Sequence, residues 1–331
     1  MNLRALLTGL LLMAITSITS AQDDRFRELV PDPAKLEKLG SGMKFVEGPV
    51  WSEENGGFLI FSDIPASELK KWSKADGVTT FRKESNNTNG NARDLEGRLI
   101  SCEHTSRRVS ITEKDGTVRT LVDRFKPDLS LPDGKKFNSP NDVVVKSGGT
   151  ILFTDPTYGT PKGAAKELEG QWVFCYAPHT KAVWPVAKDM DMPNGLCFSP
   201  DESKLYVADS GKPRHILVFE VTGARNSPSD EGHGGESLVP LRLYPGQVFC
   251  TIDKGVPDGI RCDEKGNVWS SAGDGVQVFA PDGKLIGRIP VPESPANLCF
   301  GGADGKTLFI TARTSLYAIE TNVRGAKRPS K

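Results

Sequence analysis

The chain has 331 residues, enough for one large domain or two of ordinary size. Its 42 basic and 42 acidic side chains give a formal net charge of zero, so it carries no electrostatic footprint for nucleic acid or anionic lipid. A hydrophobic fraction of 37%, with 34 glycines and 23 prolines, indicates a soluble globular chain rich in turns and strands.

The N-terminal segment is expected to direct export. It contains Arg4, an apolar run from Ala5 to about Ile15, and small residues that end at Ala21. This is the pattern of a secretory signal peptide, residues 1–21, and the apolar run is too short for a stable membrane span. We therefore predict cleavage after Ala21, no membrane span, and a mature protein in the periplasm or outside the cell.

Six short apolar runs follow turns that contain glycine or charged residues, and each alternates broadly with a period of two, as a strand does. In chain order they are GFLIFSD (57–63), GRLISCE (97–103), GTILFTD (149–155), SKLYVAD (203–209), GNVWSSA (266–272) and GKTLFITA (305–312). A further strand candidate precedes each run and another follows it. Units of three to four strands that recur six times, about forty or more residues apart, are typical of a β-propeller.

We therefore predict an all-β fold, a six-bladed β-propeller with four-stranded antiparallel blades. It forms a single domain over residues 22–331, with a core of about 39–320. A single blade cannot bury both of its faces, so the six units must pack around an axis. The segment from Leu36 to Phe45 is expected to complete the last blade. The longer units leave room for loops at Pro156 to Gln171 and Gly223 to Val248, and such loops are expected to set substrate choice.

The chain contains six cysteines, for which export would permit disulfides. They are Cys102, Cys175, Cys197, Cys250, Cys262 and Cys299. None shows the CxxC spacing of a metal site, and three lie within apolar strands, where cysteine behaves as a small hydrophobe. We predict that most are free thiols in the core and leave one bridge open.

A column of polar residues opens the leading strands of the six units. It reads Glu47, Asn89, Asn141, Asn194, Asp258 and Ala296, and the next column reads Gly48, Gly90, Asp142, Gly195, Gly259 and Asn297. A single Pro-Asn-Gly sequence would be read as a turn. In a propeller, however, the first strand of every blade lines the central channel, so these positions converge on the axis.

A ring of buried polar oxygens is costly unless a partner satisfies it. Glu47 and Asp258 supply two negative charges, which balance one divalent cation. Ligation by carboxylate and carboxamide oxygens favours Ca²⁺, with Mg²⁺, Mn²⁺ or Zn²⁺ left open. We predict metal ligation by Glu47, Asn141, Asn194 and Asp258.

The second strands run back toward the same face, so the residues at their ends are expected near the channel mouth. His104 is one candidate for a catalytic base, or else a hydrogen-bonded rim residue. Asp155 and Asp209 are candidate substrate contacts, or else caps of the following turns. Asn89, Asn141 and His104 complete the predicted set of substrate contacts.

The chain resembles the senescence-marker-protein/gluconolactonase/luciferin-regenerating family, and within it the bacterial gluconolactonase-like branch. The resemblance rests on FVEGPVW, LISCEHTSRRV, NSPNDVVVKSGGTILFTDPTYG, PNGLCFSPDESKLYVADS, GVPDGIRCDEKGNVW and LCFGGADGKTLFITA, which span nearly the whole mature chain. It implies hydrolysis of a sugar-type lactone to the hydroxy acid.

The resemblance also implies residue roles. Glu47, Asn194 and Asp258 would be metal ligands, and Asp258 a proton acceptor or donor. Asn141 would be a fourth ligand, as in diisopropyl-fluorophosphatase-type propellers, or a substrate contact. Animal members place a sugar-binding Arg two residues before this Asn. Here that position is Ser139, so the contact does not carry over.

Two other functions stay open on the sequence alone. The same cation could polarise a phosphoryl oxygen, which would make the protein a phosphotriester or phosphofluoridate hydrolase. Alternatively, the propeller could bind a ligand without catalysis. The sequence contains no G-x-S-x-G elbow, HExxH or phosphate-binding GxxxxGK[ST] motif that would favour another chemistry. The sequence does not decide between Asp258 and His104 as the base.

Overall fold

The computed structural model describes residues 21–126, 133–223 and 240–326. Helix α1 (Ala21–Leu29) and strand β1 (Glu37–Gly40) come first. Blade 1 comprises β2 (Val46–Ser52), β3 (Phe58–Asp63), β4 (Glu68–Ser73) and β5 (Gly77–Lys83), with 3-10 turns at Glu54–Gly56 and Ile64–Ala66. Blade 2 comprises β6 (Thr88–Arg93), β7 (Leu99–Glu103), β8 (Arg108–Thr112) and β9 (Val118–Val122), and the ribbon β10 (Arg124–Phe125) and β11 (Lys135–Lys136) follows.

Blade 3 comprises β12 (Val143–Val145), β13 (Ile151–Asp155), β14 (Trp172–Ala177) and β15 (Ala182–Ala187). Blade 4 comprises β16 (Pro193–Phe198), β17 (Lys204–Asp209), β18 (His215–Thr222) and β20 (Gln247–Thr251), with β19 (Arg242–Leu243) beside β18. Blade 5 comprises β21 (Ile260–Cys262), β22 (Val268–Ala272), β23 (Gly275–Phe279) and β24 (Leu285–Pro290). Blade 6 comprises β25 (Pro295–Gly301), β26 (Thr307–Ala312) and β27 (Ser315–Glu320).

The six antiparallel sheets close into a ring, which confirms the predicted six-bladed β-propeller. The innermost strands contact one another in the order β2, β6, β12, β16, β21, β25 and back to β2. Strand β1 pairs with β27 through Glu37 opposite Ala318 and Lys38 opposite Tyr317. The N-terminal strand therefore completes the last blade, as predicted.

The hydrophobic core lies between neighbouring blades. Leu152 and Cys175 of blade 3, for example, pack with Leu205 and Val207 of blade 4. A blade between two neighbours is covered on both faces, so its second strand can be buried at every residue and not only at alternate ones, which the predicted period of two did not indicate. All six residues of β3 and all five of β13 are buried.

The other predictions about the chain have mixed outcomes. All six cysteines are buried, and Cys102, Cys175, Cys197, Cys250 and Cys262 are free thiols, which confirms the prediction for most of them. No helix within the described ranges is long and apolar enough to cross a bilayer. Residues 1–20 lie outside the described residues, so export stays a prediction. The Pro156–Gln171 segment is a loop, whereas the described ends of the second expected loop contain β19 and the start of β20.

Glycines directly after the first column of ring residues let the inner strands approach the axis closely. Gly48 has φ +53°, and a Cβ there would lie 2.0 Å from the backbone oxygen of Asn89 on the neighbouring blade. A Cβ on Gly195 would lie 2.3 Å from the backbone oxygen of Asp258. The column of glycines in the sequence is therefore explained by contact between backbones of adjacent blades.

The close approach predicts unequal costs for two glycine substitutions. Gly42 also has a left-handed φ, +87°, but a Cβ there would meet nothing within 4 Å. We expect Gly42→Ala to lower the free energy of unfolding by about 1 kcal/mol through backbone strain alone. Gly48→Ala should cost about 3 kcal/mol, because the collision with Asn89 adds to the same strain. Urea denaturation measures both, and equal costs would contradict close packing at the axis.

Candidate metal centre at the channel mouth

The predicted ring positions lie at or just before the start of the inner strands. Glu47, Asn89 and Asn194 are the second residues of β2, β6 and β16, whereas Asn141 and Asp258 precede β12 and β21 by two residues. The pairing of β2, β6 and β16 with their neighbours becomes irregular at these positions. Such irregularities change the direction in which side chains point, and here they occur where the strands reach the channel.

Glu47 is held in a buried, hydrogen-bonded position. Its Oε2 accepts hydrogen bonds from the backbone N–H of Gly48 at 2.7 Å and from Nδ2 of Asn297 at 2.9 Å. Burial, together with the negative charge of Asp142, raises the pKa of Glu47 to about 7. Both of the hydrogen bonds recorded for this carboxylate within the described chain end on Oε2, so Oε1 is left to bind a cation.

Asp258 enters the ring at blade 5, from which blade 6 alone separates the blade of Glu47. Burial raises the pKa of Asp258 well above its usual value, and the negative charges of Glu47 and Asp142 raise it further. A hydrogen bond from Asn194 acts in the opposite direction and lowers this pKa by less. The carboxamide of Asn194 also interacts with the phenol of Tyr158. Because a carboxamide donates only through Nδ2, Oδ1 of Asn194 remains available as a ligand. The structure thus brings Glu47, Asn194 and Asp258 together.

The remaining predicted ligand and one predicted substrate contact are fixed through their backbones. Asn141 donates its N–H to Thr154 O at 2.8 Å, and its own carbonyl accepts the N–H of Gly90 at 2.7 Å. The carbonyl of Asn89 accepts a hydrogen bond from Ser62 Oγ at 2.6 Å. Asn89 and Asn141 are each 5% exposed. Both positions therefore belong to the rigid lining of the channel.

His104 lies against the ring but is largely enclosed. Its Nε2 is 3.4 Å from Nδ2 of Asn89, and a Cβ on Gly159 would lie only 2.0 Å from its Nδ1. Burial lowers the pKa of His104 to about 4, so the imidazole is neutral at neutral pH. Both ring nitrogens thus have protein neighbours. This environment agrees with the alternative of a hydrogen-bonded rim residue.

Asp155 and Asp209 bind mainly backbone amides that precede them in the chain, whereas the capping alternative expected the following turns. Asp209 also accepts the N–H of Gly211 in the following turn at 3.1 Å. Asp155 accepts the N–H groups of Asn138 and Ser139 at 2.8 and 2.9 Å. Asp209 accepts those of Asp191 and Met192 at 2.9 and 2.8 Å. In both blades the acceptor ends the second strand and the donors lead into the first strand. These contacts assign a structural role, and substrate binding by either residue stays an untested prediction.

Asp142 and Arg261 form a buried pair that the sequence analysis did not assign. Nη1 of Arg261 lies 3.3 Å from Oδ2 of Asp142, so a third carboxylate near the ring has its own counter-charge. Asp142 and Asn297 are the two exceptions in the column of glycines. The side chain of Asp142 occupies the space beside Gly90, and that of Asn297 the space beside Gly259. The departure from glycine at these two positions was the sequence signal that could have marked them as functional.

The donor set fits a hard divalent cation. Within the described ranges, no group of three or more His, Cys, Asp or Glu side chains is arranged to hold a metal. The carboxylates at the ring must therefore be joined by carboxamide oxygens, a combination that suits Ca²⁺ better than Zn²⁺. A cation here would also relieve the repulsion between Glu47 and Asp258.

The fold and the site define a six-bladed propeller with a polar ring of Glu, Asn and Asp at one end of its axis. A model of the SMP-30/Gluconolactonase/LRE-like region matches residues 45–314, so the chain belongs to this family, as its motifs indicated. The gluconolactonase of Zymomonas mobilis subsp. mobilis is 32% identical over 309 residues, which cover 88% of this chain and 82% of that protein.

Solved structures show the same likeness. The gluconolactonase of Xanthomonas campestris matches with a TM-score of 0.78 and 32% identity, over 92% of this chain and 93% of that one. A calcium-binding protein, regucalcin, from Agrobacterium tumefaciens strain C58 matches with a TM-score of 0.69 and 21% identity, over 90% and 97%. At that identity the second likeness shows the fold alone.

The raised pKa of Glu47 predicts how the metal-free protein responds to pH. In the folded state Glu47 binds a proton more tightly than in the unfolded state, so stability is lost as the pH rises from about 4.5 to about 7. In the presence of a chelator, Glu47→Gln should therefore be more stable than the wild type by about 2 kcal/mol at pH 8. The difference should largely disappear at pH 5.

Urea denaturation at the two pH values measures this difference. The exposed Glu53, changed to Gln, makes the same change of charge at a solvated site and serves as the control. Saturating Ca²⁺ should reverse the order at pH 8, because binding stabilises only the protein that keeps the ligand. A wild type and a Glu47→Gln variant with equal pH dependence would contradict the electrostatic account of the ring.

Proposed function

We propose that this protein is a metal-dependent lactonase that opens a sugar-type lactone to its hydroxy acid. The observation that carries the proposal is the approach of two carboxylates, the buried Glu47 and the partly exposed Asp258, beside the carboxamide of Asn194. Membership of a family with gluconolactonase relatives supports the substrate class. Residues 1–21 would direct export, so that the substrate would be met outside the cytoplasm.

Glu47, Asn194 and Asp258 would hold the cation, with Asn141 as the fourth protein ligand and Ca²⁺ as the favoured metal. When bound, a divalent cation supplies the Lewis acidity that stabilises negative charge developing on the lactone carbonyl. Four protein ligands leave room for water and substrate, because Ca²⁺ takes six to eight oxygen ligands. The rigid backbone at Asn89 and Asn141 would keep this set of oxygens in place.

Asp258 is the better of the two candidate bases. It is partly exposed at the channel mouth, whereas both nitrogens of His104 face protein groups. Water would add to the lactone carbonyl carbon and pass a proton to Asp258. The bond from that carbon to the ring oxygen would then break, and the ring oxygen would take up a proton to become a hydroxyl. In this scheme His104 orients Asn89 and carries no charge.

Metal removal tests the proposed reaction. The calcium-loaded protein should hydrolyse D-glucono-δ-lactone, and a chelator should abolish the activity until Ca²⁺ is restored. Paraoxon, assayed under the same conditions, tests the phosphotriesterase alternative. Glu47→Gln should lose both bound calcium and turnover, with Glu53→Gln as the charge-matched control. A wild type that binds calcium and hydrolyses neither ester would favour a ligand-binding propeller.

The choice of base predicts different losses for two conservative substitutions. Asp258→Asn should lower kcat by a factor of about 10² to 10⁴, the usual contribution of a positioned general base, and should also weaken calcium binding. His104→Gln keeps a hydrogen-bonding group beside Asn89 and should lower kcat by less than about tenfold, about the net worth of one hydrogen bond. Single-turnover assays at saturating calcium separate the two effects. The reverse order would assign the base to His104.

A further inference from the structure

An exposed tyrosine stands beside the ring without a role in the scheme above. Tyr158 is 45% exposed, although it belongs to the loop directly after β13. Its phenol lies beside the polar side chains of Ser210 and Asn194 and within electrostatic reach of Asp258. The residue therefore spans from blade 3 to blade 4 over the candidate metal ligands, with much of its surface open to solvent.

The polar neighbours of the phenol leave one lone pair of its oxygen available to a further hydroxyl group. Ser210 donates its own hydroxyl to the carbonyl of Pro257 at 2.5 Å, so its oxygen is free to accept the phenolic proton. The phenol oxygen can accept from Nδ2 of Asn194 and still has a second lone pair. A substrate hydroxyl beside the metal ligands could donate to that lone pair.

The loop that carries Tyr158 is held at both sides. On one side, Gln171 Oε1 accepts hydrogen bonds from the N–H and hydroxyl of Thr157, at 2.7 and 3.0 Å, and its Nε2 donates to Asp191 O at 2.6 Å. On the other side, the backbone of Gly159 packs against the imidazole of His104. The position of Tyr158 is therefore set by fixed contacts on blades 2, 3 and 4.

Ser139 links the two ends of the short turn around Tyr158. Its buried hydroxyl donates to Pro156 O at 2.6 Å and accepts the N–H of Gly159 at 3.0 Å. Its own N–H is held by Asp155 at 2.9 Å. The position that lacks the sugar-binding Arg of animal relatives thus supports the loop that presents the phenol.

We propose that Tyr158 is a specificity-determining residue that contacts the substrate and binds a hydroxyl group of a polyhydroxylated lactone next to Asn194 and Asp258. Ser139 is a positioning residue that acts through the backbone of Pro156 and Gly159. The inference rests on the proposed lactonase function and adds the group that selects hydroxylated substrates.

The experiment compares Tyr158→Phe with Tyr244→Phe, because Tyr244 is also an exposed tyrosine but follows β19 on blade 4. Calcium-loaded proteins are assayed with D-glucono-δ-lactone and with δ-valerolactone, which has no hydroxyl groups. For Tyr158→Phe, KM for gluconolactone should rise about tenfold, the worth of one hydrogen bond. The ratio of kcat/KM for gluconolactone over valerolactone should fall by a similar factor. Tyr244→Phe should change neither.

Two further measurements keep the inference separate from other effects. Calorimetry with calcium alone shows whether Tyr158→Phe acts through Asn194, and a loss of calcium affinity as large as the rise in KM would overturn a substrate contact. Calorimetry of gluconate with the calcium-loaded proteins reports recognition without turnover. The wild type should bind gluconate more tightly than Tyr158→Phe, and equal or absent binding would also overturn the inference.

Ser139→Ala tests the supporting role. It should shift the substrate ratio in the same direction as Tyr158→Phe and speed hydrogen exchange at the amide of Gly159, which loses its acceptor. Tyr158→Phe should leave that exchange unchanged. Unchanged exchange and an unchanged substrate ratio in Ser139→Ala would overturn the role of Ser139. A wild type that hydrolyses neither lactone refutes the proposed function instead, and gluconate binding then decides the role of Tyr158.

Discussion

The close approach of six inner strands to one axis is the constraint on which the site depends. Four of these strands have glycine at the second ring position, and at Gly48 and Gly195 a side chain would collide with the backbone of the next blade. Neighbouring strands are therefore near enough for side chains from different blades to interact. Glu47 of blade 1 can then raise the pKa of Asp258, which leads into blade 5, although 211 positions separate them (258 minus 47).

The charges near the axis add up in a way that favours one divalent cation. Glu47, Asp258 and Asp142 would bring three negative charges if all were ionised, and Arg261 brings one positive charge in contact with Asp142. The sum is minus two, the same value that the two ring carboxylates alone suggested. Arg261 also lowers the pKa of Glu47, but burial and the charge of Asp142 raise it by more. The carboxylates near the axis therefore keep an excess of negative charge, which a bound divalent cation would balance.

Strands could be predicted from the sequence more completely than the site. The buried second strands, such as β3 and β13, carry apolar runs that turns separate cleanly, and the column that begins with Glu47 repeats in register. The pair of Asp142 and Arg261 could not be predicted, because the departure from glycine marks position 142 but not its partner, which lies on blade 5 and follows no repeat. The bond between Asn297 and Glu47 crosses from the last blade to the first, which is likewise a contact of the closed ring alone.

The aspartates that end the second strands support both the repeated geometry of the blades and the loop that carries Tyr158. Asp63, Asp155 and Asp209 each end a second strand and bind the backbone that leads into the first strand of the same blade. In blade 3 this arrangement fixes Ser139, and Ser139 in turn holds the loop of Tyr158. A change at position 139 therefore alters which loop conformation the blade can support. If Tyr158 contacts the substrate as proposed, the same aspartate that fixes the backbone leading into blade 3 also fixes, through Ser139, the group that selects the substrate.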